Sequence, residues 1–207
     1  FLKALTERVL VLDGGFGTWM QAYDLGPDDF GGEELEGCNE NLVATRPDLI
    51  TAMHSDYLAT GCDAVETATF GAFGLVLNEY DIADRSYDLN VAAAKLAKDV
   101  ATDFSTPDRP RWVVGSIGPG TRLPSLGAIS FADLRNDYEV QAAGLLAGGA
   151  DVLLIETVYD LLQAKSALIN LAASSTEIGG WRLSRVKMWL RRRKFSCMEI
   201  LRRQRFG

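Results

Sequence analysis

The sequence is poor in the residues from which metal centres and hydrolytic triads are made. Its 207 residues include one histidine, His54, in the stretch AMHSDY. With no second histidine, a Ser-His-Asp type of arrangement has little to build on, and His54 itself reads as a partly exposed mid-helix residue. Cysteine is almost as scarce. Cys38, Cys62 and Cys197 are odd in number and far apart, a pattern that argues against a disulfide framework and against a C-x-x-C metal site. Also missing are any apolar run near the roughly 18 residues of a membrane span and the charged-then-apolar pattern of a signal peptide. These absences predict a cytoplasmic protein without a membrane partner. The first residue is Phe1 rather than methionine, so the sequence reads as part of a longer chain.

What is present suits a globular domain. The hydrophobic share is 47%, ordinary for a chain long enough to bury a sizeable core. Charge divides the chain sharply. Residues 1–171 hold 11 basic and 26 acidic residues, net −15, whereas residues 172–207 hold 10 and 2, net +8. The acidic part disfavours nucleic acid as a partner. The basic part, with the run Arg191 to Lys194, has two readings: an arm for nucleic acid or an anionic surface, or an out-of-frame or disordered tail. The second is the expectation, giving a domain over residues 1–170 and a tail over 171–207.

Upstream, strand and helix signals alternate. Strands are expected at Val9–Asp13, Ala64–Thr67, Trp112–Ile117 and Asp151–Thr157. The first, an unbroken aliphatic run, reads as buried on both faces. Helices are expected at Pro47–Ala59, where proline suits a first turn, at Ala83–Phe104, and at Phe131–Ala147 with Ser130 as N-cap and Asp133 three residues on. A fourth starts near Leu161. Strands alternating with helices of this length imply crossovers and a parallel sheet, either doubly wound or a (β/α)8 barrel.

The chemically interesting residues fall at one end of this pattern. Asp13 ends the first strand and Glu66-Thr67 the second, GSIGPG (115–120) follows the third, and Glu156-Thr157 ends the fourth. Parallel α/β folds build their sites from loops at this carboxyl edge. Converging carboxylates there would receive a cation. Gly14, Gly15 and Gly17 could bring backbone amides to a ligand beside Asp13, or could simply form a strand-to-helix turn capped by it. The loop GSIGPG lacks the Gly-Lys-Ser/Thr ending of a phosphate-binding loop and reads as a strand-end loop shaping the pocket. Asp13 and Glu156 could also be the acid pair of a barrel glycosidase.

The segments VLDGGFGTWMQ, GCNENLVATRPDLITAMHSDYLATGCDAVETATFGA, VVGSIGPG and ADVLLIETVYDLLQAKSAL closely resemble, in order and spacing, the homocysteine-binding barrels of the homocysteine S-methyltransferase family, in particular those of cobalamin-dependent methionine synthases. The resemblance covers about residues 5–169. It implies an α/β fold of the (β/α)8 barrel type, of which this chain would hold the first four units, and transfer of a methyl group to the homocysteine thiolate to form methionine. It places Asp13 and Glu156 on the substrate ammonium, with the amides of Gly14 and Gly15 and the threonines Thr67 and Thr69 around the amino-acid end. Zinc, which holds the sulfur as thiolate in this family, takes cysteines after the sixth and eighth strands, which this chain does not reach. Methylcobalamin and methyltetrahydrofolate would act through further modules. The resemblance also leads to the expectation of a truncated, inactive chain whose first and fourth strands have open edges, with Val11, Val65 and Leu154 uncovered, and which self-associates through those edges.

Overall fold

The computed structural model describes residues 1–173 and the strand at 186–188. Four parallel strands, β1 (Ala64–Glu66), β2 (Trp112–Ile117), β3 (Val152–Ile155) and β4 (Val186–Met188), form one sheet in sequential order. Four long helices alternate with them: α1 (Pro47–Thr60), α2 (Ser86–Asp103), α3 (Phe131–Ala147) and α4 (Leu161–Ala173). The helix signals lie where the sequence puts them. Pro47 opens α1 and Gly61, at φ 107°, closes it in the left-handed conformation that glycine adopts without strain. Ser130 caps α3, accepting the Asp133 N–H at 3.0 Å while its own hydroxyl donates to the Asp133 carboxylate at 2.6 Å. The helix expected from Ala83 begins instead as a 3-10 turn, Ala83–Arg85, before α2 proper.

The winding is that of a barrel. Leu58 of α1, Ala97 of α2, Leu145 of α3 and Leu168 of α4 all belong to the single core that covers Val65, Val113, Ile117, Leu153 and Ile155. All four helices therefore lie on one face of the sheet, which removes the doubly wound alternative. Gly144 is what lets α2 and α3 approach. A Cβ there would meet the Tyr87 carbonyl oxygen at 2.6 Å. With side chains alternating along strands, the other face receives Ala64 and Glu66, Trp112, Val114 and Ser116, and Val152 and Leu154. Its lower part is an apolar floor of Ala64, Val114 and Val152, against which Leu12, Trp112, Leu154 and Phe1 pack, with the Phe1 and Trp112 rings edge-on at 5.9 Å.

Three expectations need correction. The stretch Val9–Asp13 is not a strand buried on both faces; only a parallel bridge, Leu12 to Ala64, joins it to the sheet, and Val9 and Val11 are 84% and 58% exposed. No described strand lies on its outer side, and the Asp63 side chain takes the Val11 N–H at 2.9 Å while gripping Arg8 through two bonds. Aliphatic character alone does not make a ladder. Val65 is fully buried, because it faces the helices rather than the opposite face, and Leu154 is half-buried. Finally, the edge of the strand Val152–Ile155 is not open. Val186–Met188 pairs along it, Leu153 with Val186 and Ile155 with Met188, although residues 172–207 show no strand periodicity; an unpaired edge is a template that backbone alone can satisfy. The rest of the expected tail, residues 174–185 and 189–207, lies outside the described residues. Among the described residues, no helix is long and apolar enough to cross a membrane.

Candidate functional site

At the carboxyl end of β1 to β3 the chain brings three carboxylates together. The Asp13 N–H donates to the Ala64 carbonyl at 3.1 Å, which carries the line of the Leu12 bridge one residue further. The Asp13 Oδ1 then accepts the Glu66 N–H at 2.8 Å. Glu66 ends β1. Glu156 follows β3, tied to β2 through its N–H, which donates to the Ile117 carbonyl at 3.1 Å. Continuing the alternation from Leu154, Glu156 falls on the same face as Glu66 and Ser116, and the Ser116 hydroxyl donates to Glu156 Oε1 at 2.5 Å. The residue after it, Thr157, has φ 57°, unusual for a β-branched residue.

Electrostatically the cluster is short of positive charge. Burial pushes the Asp13 carboxyl up to about 7; the N–H groups of Glu66 and of Asp13 itself work against this, and the nearby Glu156 charge adds to it. Burial likewise pushes Glu66 up to about 8, helped by the charges of Glu156 and Asp13 and by a hydrogen bond shared with Glu156. Among the described residues, no Lys, Arg or His acts on either group. Such a cluster is satisfied by protons or by a cation brought from outside.

Thr67 and Thr69, which the resemblance puts at the amino-acid end, are both buried. Their hydroxyls lie 2.6 Å apart; Thr69 donates to the Ser116 carbonyl at 2.8 Å, and Thr67 accepts the Ser116 N–H at 3.0 Å. They knit the loop after β1 to β2. Gly14 and Gly15 are exposed beside Asp13, Gly15 at φ 65°, where the Tyr57 hydroxyl would lie 3.2 Å from an added Cβ. A groove of about 810 Å³ reaches Asp13, Gly14 and Gly15 from this side, with Trp19, Tyr57 and Cys62 among its other walls.

The loop after β2 is shaped by its own anchors. The Gly118 N–H donates to the Phe70 carbonyl, its carbonyl accepts the Tyr138 hydroxyl, both at 3.0 Å, and Gln163 donates to the Pro119 carbonyl at 2.6 Å. Strand-end position already singled out Glu66 in the sequence, yet it was not among the expected ligand residues; its place on the same face as Glu156 is the signal that points to it. Ser116 lay unremarked inside GSIGPG. His54 departs from expectation. It is wholly buried, its ring nitrogens have no hydrogen-bond partner among the described residues, and burial lowers its pKa to about 4.

A thiolate metal site does not fit the described residues. Cys38 and Cys62 are buried in separate places; burial pushes both thiols up to about 11, and Cys62 donates to the Tyr57 carbonyl at 3.0 Å. Among the described residues, no group of three or more His, Cys, Asp or Glu is placed to hold a metal. Cys197 lies outside them.

Comparison with known proteins gives the chain its relatives. The chain is 49% identical over 178 residues to a methionine synthase of Mycobacterium tuberculosis and 46% identical over 178 residues to one of Mycobacterium leprae, in each case over 86% of this chain. It spans only 15% of the length of those relatives. Among solved structures, the homocysteine methyltransferase MmuM of Escherichia coli superposes with a TM-score of 0.70 in its oxidized form and 0.71 in its metallated form, at 21% identity. Each superposition covers 91% of this chain and 64% or 65% of the other, and at that identity it speaks to the fold alone. The sequence pattern of one family accounts for residues 10–192, a span that runs from the Asp13 loop past the last described strand, and by that match the chain belongs to the homocysteine S-methyltransferase family.

Proposed function

We propose that this chain is the homocysteine-binding part of a methionine synthase, and that Asp13 and Glu156 take the ammonium of homocysteine. The observation that carries this reading is the partly buried carboxylate cluster, on whose Asp13 and Glu66 no cation acts among the described residues. An α-ammonium entering there would form charge-assisted bonds in a partly desolvated site, each worth about 1.5–3 kcal/mol. The amides of Gly14 and Gly15, beside Asp13, would face the α-carboxylate, while Thr67 and Thr69 would support the wall behind it. The synthase names of the relatives support methionine as the product; cobalamin and folate, which the sequence resemblance implies, would carry the methyl group through other parts of the protein. Zinc would activate the sulfur with ligands outside the described residues; the described residues would bind and orient the amino-acid end, and methyl transfer would need the rest of the protein. The experiment is calorimetric titration of the natural full-length protein with L-homocysteine. Asp13→Asn and Glu156→Gln should each weaken binding about tenfold or more, the equivalent of one such bond; unchanged affinity in both would refute the reading.

A further inference from the structure

The chain leaves β3 by a turn that its sequence does not favour. Thr157, the residue after Glu156, stands at φ 57°. This left-handed conformation crowds the Cβ of an L-residue against its own backbone, and a branched Cβ most of all. Among the described residues the other non-glycine position at positive φ is Asp81, a residue type that tolerates it. Thr157 is exposed, so packing of its own side chain is not what holds it there. Strain of this kind persists where the surroundings over-determine the backbone, and here they do so from both sides. Upstream, the Glu156 N–H donates to the Ile117 carbonyl at 3.1 Å, and Glu156 Oε1 accepts the Ser116 hydroxyl at 2.5 Å. Ser116 is a rigid donor: its N–H donates to Thr67 Oγ1, its carbonyl accepts the Thr69 hydroxyl, and Gln141, buried on α3, donates to the Thr69 carbonyl at 2.7 Å. Downstream, Val158 packs against the core between sheet and helices. The buried Asp160 carboxylate then takes the Leu162 N–H at 2.7 Å and the Ser125 N–H at 3.0 Å, which fixes the start of α4.

Glu156 and Val158 are two residues apart, and in an extended strand such a pair shares a face. Here the pair is divided. Glu156 meets Ser116 on the ligand side of the sheet, whereas Val158 joins the core on the helix side. One left-handed residue between them reverses the phase of the strand. Were Thr157 extended, placing Val158 in the core would carry the Glu156 carboxylate away from Ser116. We propose that Thr157 is a positioning residue that acts through its backbone: its left-handed turn separates a ligand-facing carboxylate from a core-facing valine and so aims Glu156 at the ammonium. The inference rests on the function proposed above and adds to it what directs one of the two carboxylates.

The test is homocysteine affinity, measured by calorimetry in the natural full-length protein, with urea unfolding alongside to establish that each variant is folded. Thr157→Gly and Thr157→Asn accept positive φ and should leave affinity within about twofold of wild type. Thr157→Val keeps the shape without the hydroxyl and should do the same; a loss there would mean that the hydroxyl acts, and would overturn the inference. Thr157→Pro, with φ fixed near about −65°, should weaken binding about tenfold or more, and wild-type affinity in that variant overturns the inference. Because the turn acts through Glu156, Thr157→Pro should add less than about threefold to Glu156→Gln, whereas a merely structural defect would add in full and refute the assignment. Should Thr157→Pro fail to fold, Ser116→Ala decides. Without the serine hydroxyl a strained turn is free to relax, so the loss of affinity should be at least about threefold smaller in a Thr157→Asn background than in the wild type; equal losses overturn the inference. Binding left intact by both Asp13→Asn and Glu156→Gln would overturn the proposed function and this inference together. Binding weakened by those two but unchanged in Thr157→Pro would overturn this inference alone.

Discussion

Replacing Glu66 by glutamine should make the protein more stable at neutral pH, although it alters the candidate site. In the folded chain the Glu66 carboxyl is raised from 4.5 to about 8. At pH 7 the folded state therefore keeps a proton there that the unfolded chain has released. The folded state binds more protons than the unfolded one between these two values, so the contribution is harmless below about pH 4.5 and grows more destabilising as pH rises towards 8. Each pH unit above 4.5 is worth about 1.36 kcal/mol, which sets a ceiling of about 3 kcal/mol at pH 7. Glu66 is only partly buried, so water screens part of that cost and about 1–2 kcal/mol is the expected gain for Glu66→Gln. For a chain of this size the gain corresponds to a rise of roughly 2–6 °C in Tm. Urea unfolding of wild type and variant at pH 5 and pH 8 is the assay. The variant should gain at pH 8 and gain little or nothing at pH 5. Equal stability at pH 8, or a difference that does not change with pH, would refute the reasoning.

Other substitutions probe the frame around the site. Gly118→Ala brings a Cβ within 2.6 Å of the Phe70 carbonyl oxygen; that backbone contact cannot swing away, so a loss of about 1–3 kcal/mol in urea unfolding is expected, together with weaker ligand binding. Burial lowers the His54 pKa from about 6.5 to about 4 in the folded chain, so its share of stability is present above pH 6.5 and lost as pH falls towards 4. His54→Leu should flatten that part of the unfolding profile, seen by thermal melts at pH 4.5 and 6.5. Arg8→Ala removes the two bonds that hold Asp63, whose carboxylate also takes the Val11 N–H. It should lower stability slightly in urea unfolding, the pair being solvent-screened, and speed amide hydrogen exchange at Val11 and Leu12.

Much of the architecture is legible in the sequence because the signals are local. Ser130 with Asp133, Pro47 with Gly61, and the apolar runs 112–117 and 152–155 each define their element from neighbours a few residues away. The misreadings concern partners far along the chain. Val9 to Leu12 has the composition of an inner strand, but an inner strand needs a neighbour on each side, and composition carries no information on whether one is there. Val65 alternates correctly, yet which phase faces the helices depends on register against β2. His54 gave no sign of burial, since a helix of mixed polarity such as 47–60 marks its inner face weakly. Within the site, Asp13 and Glu156 were readable from strand ends, as was Glu66; the pairing of Glu66 with Glu156 and the reach of the Ser116 hydroxyl come from register between strands nearly forty residues apart.

The threonine pair and Gln141 have a consequence for how the site can be altered. Their polar groups are occupied by the backbone around Ser116, so the rear wall is assembled during folding and has little freedom to adapt when a ligand arrives. Changes there will register as damaged proteins before they register as changed preferences. The side chain of Phe70 is different: it projects from the same loop 44% exposed, while its carbonyl is what anchors Gly118. That ring is where this loop can vary in shape while the inner wall stays as it is.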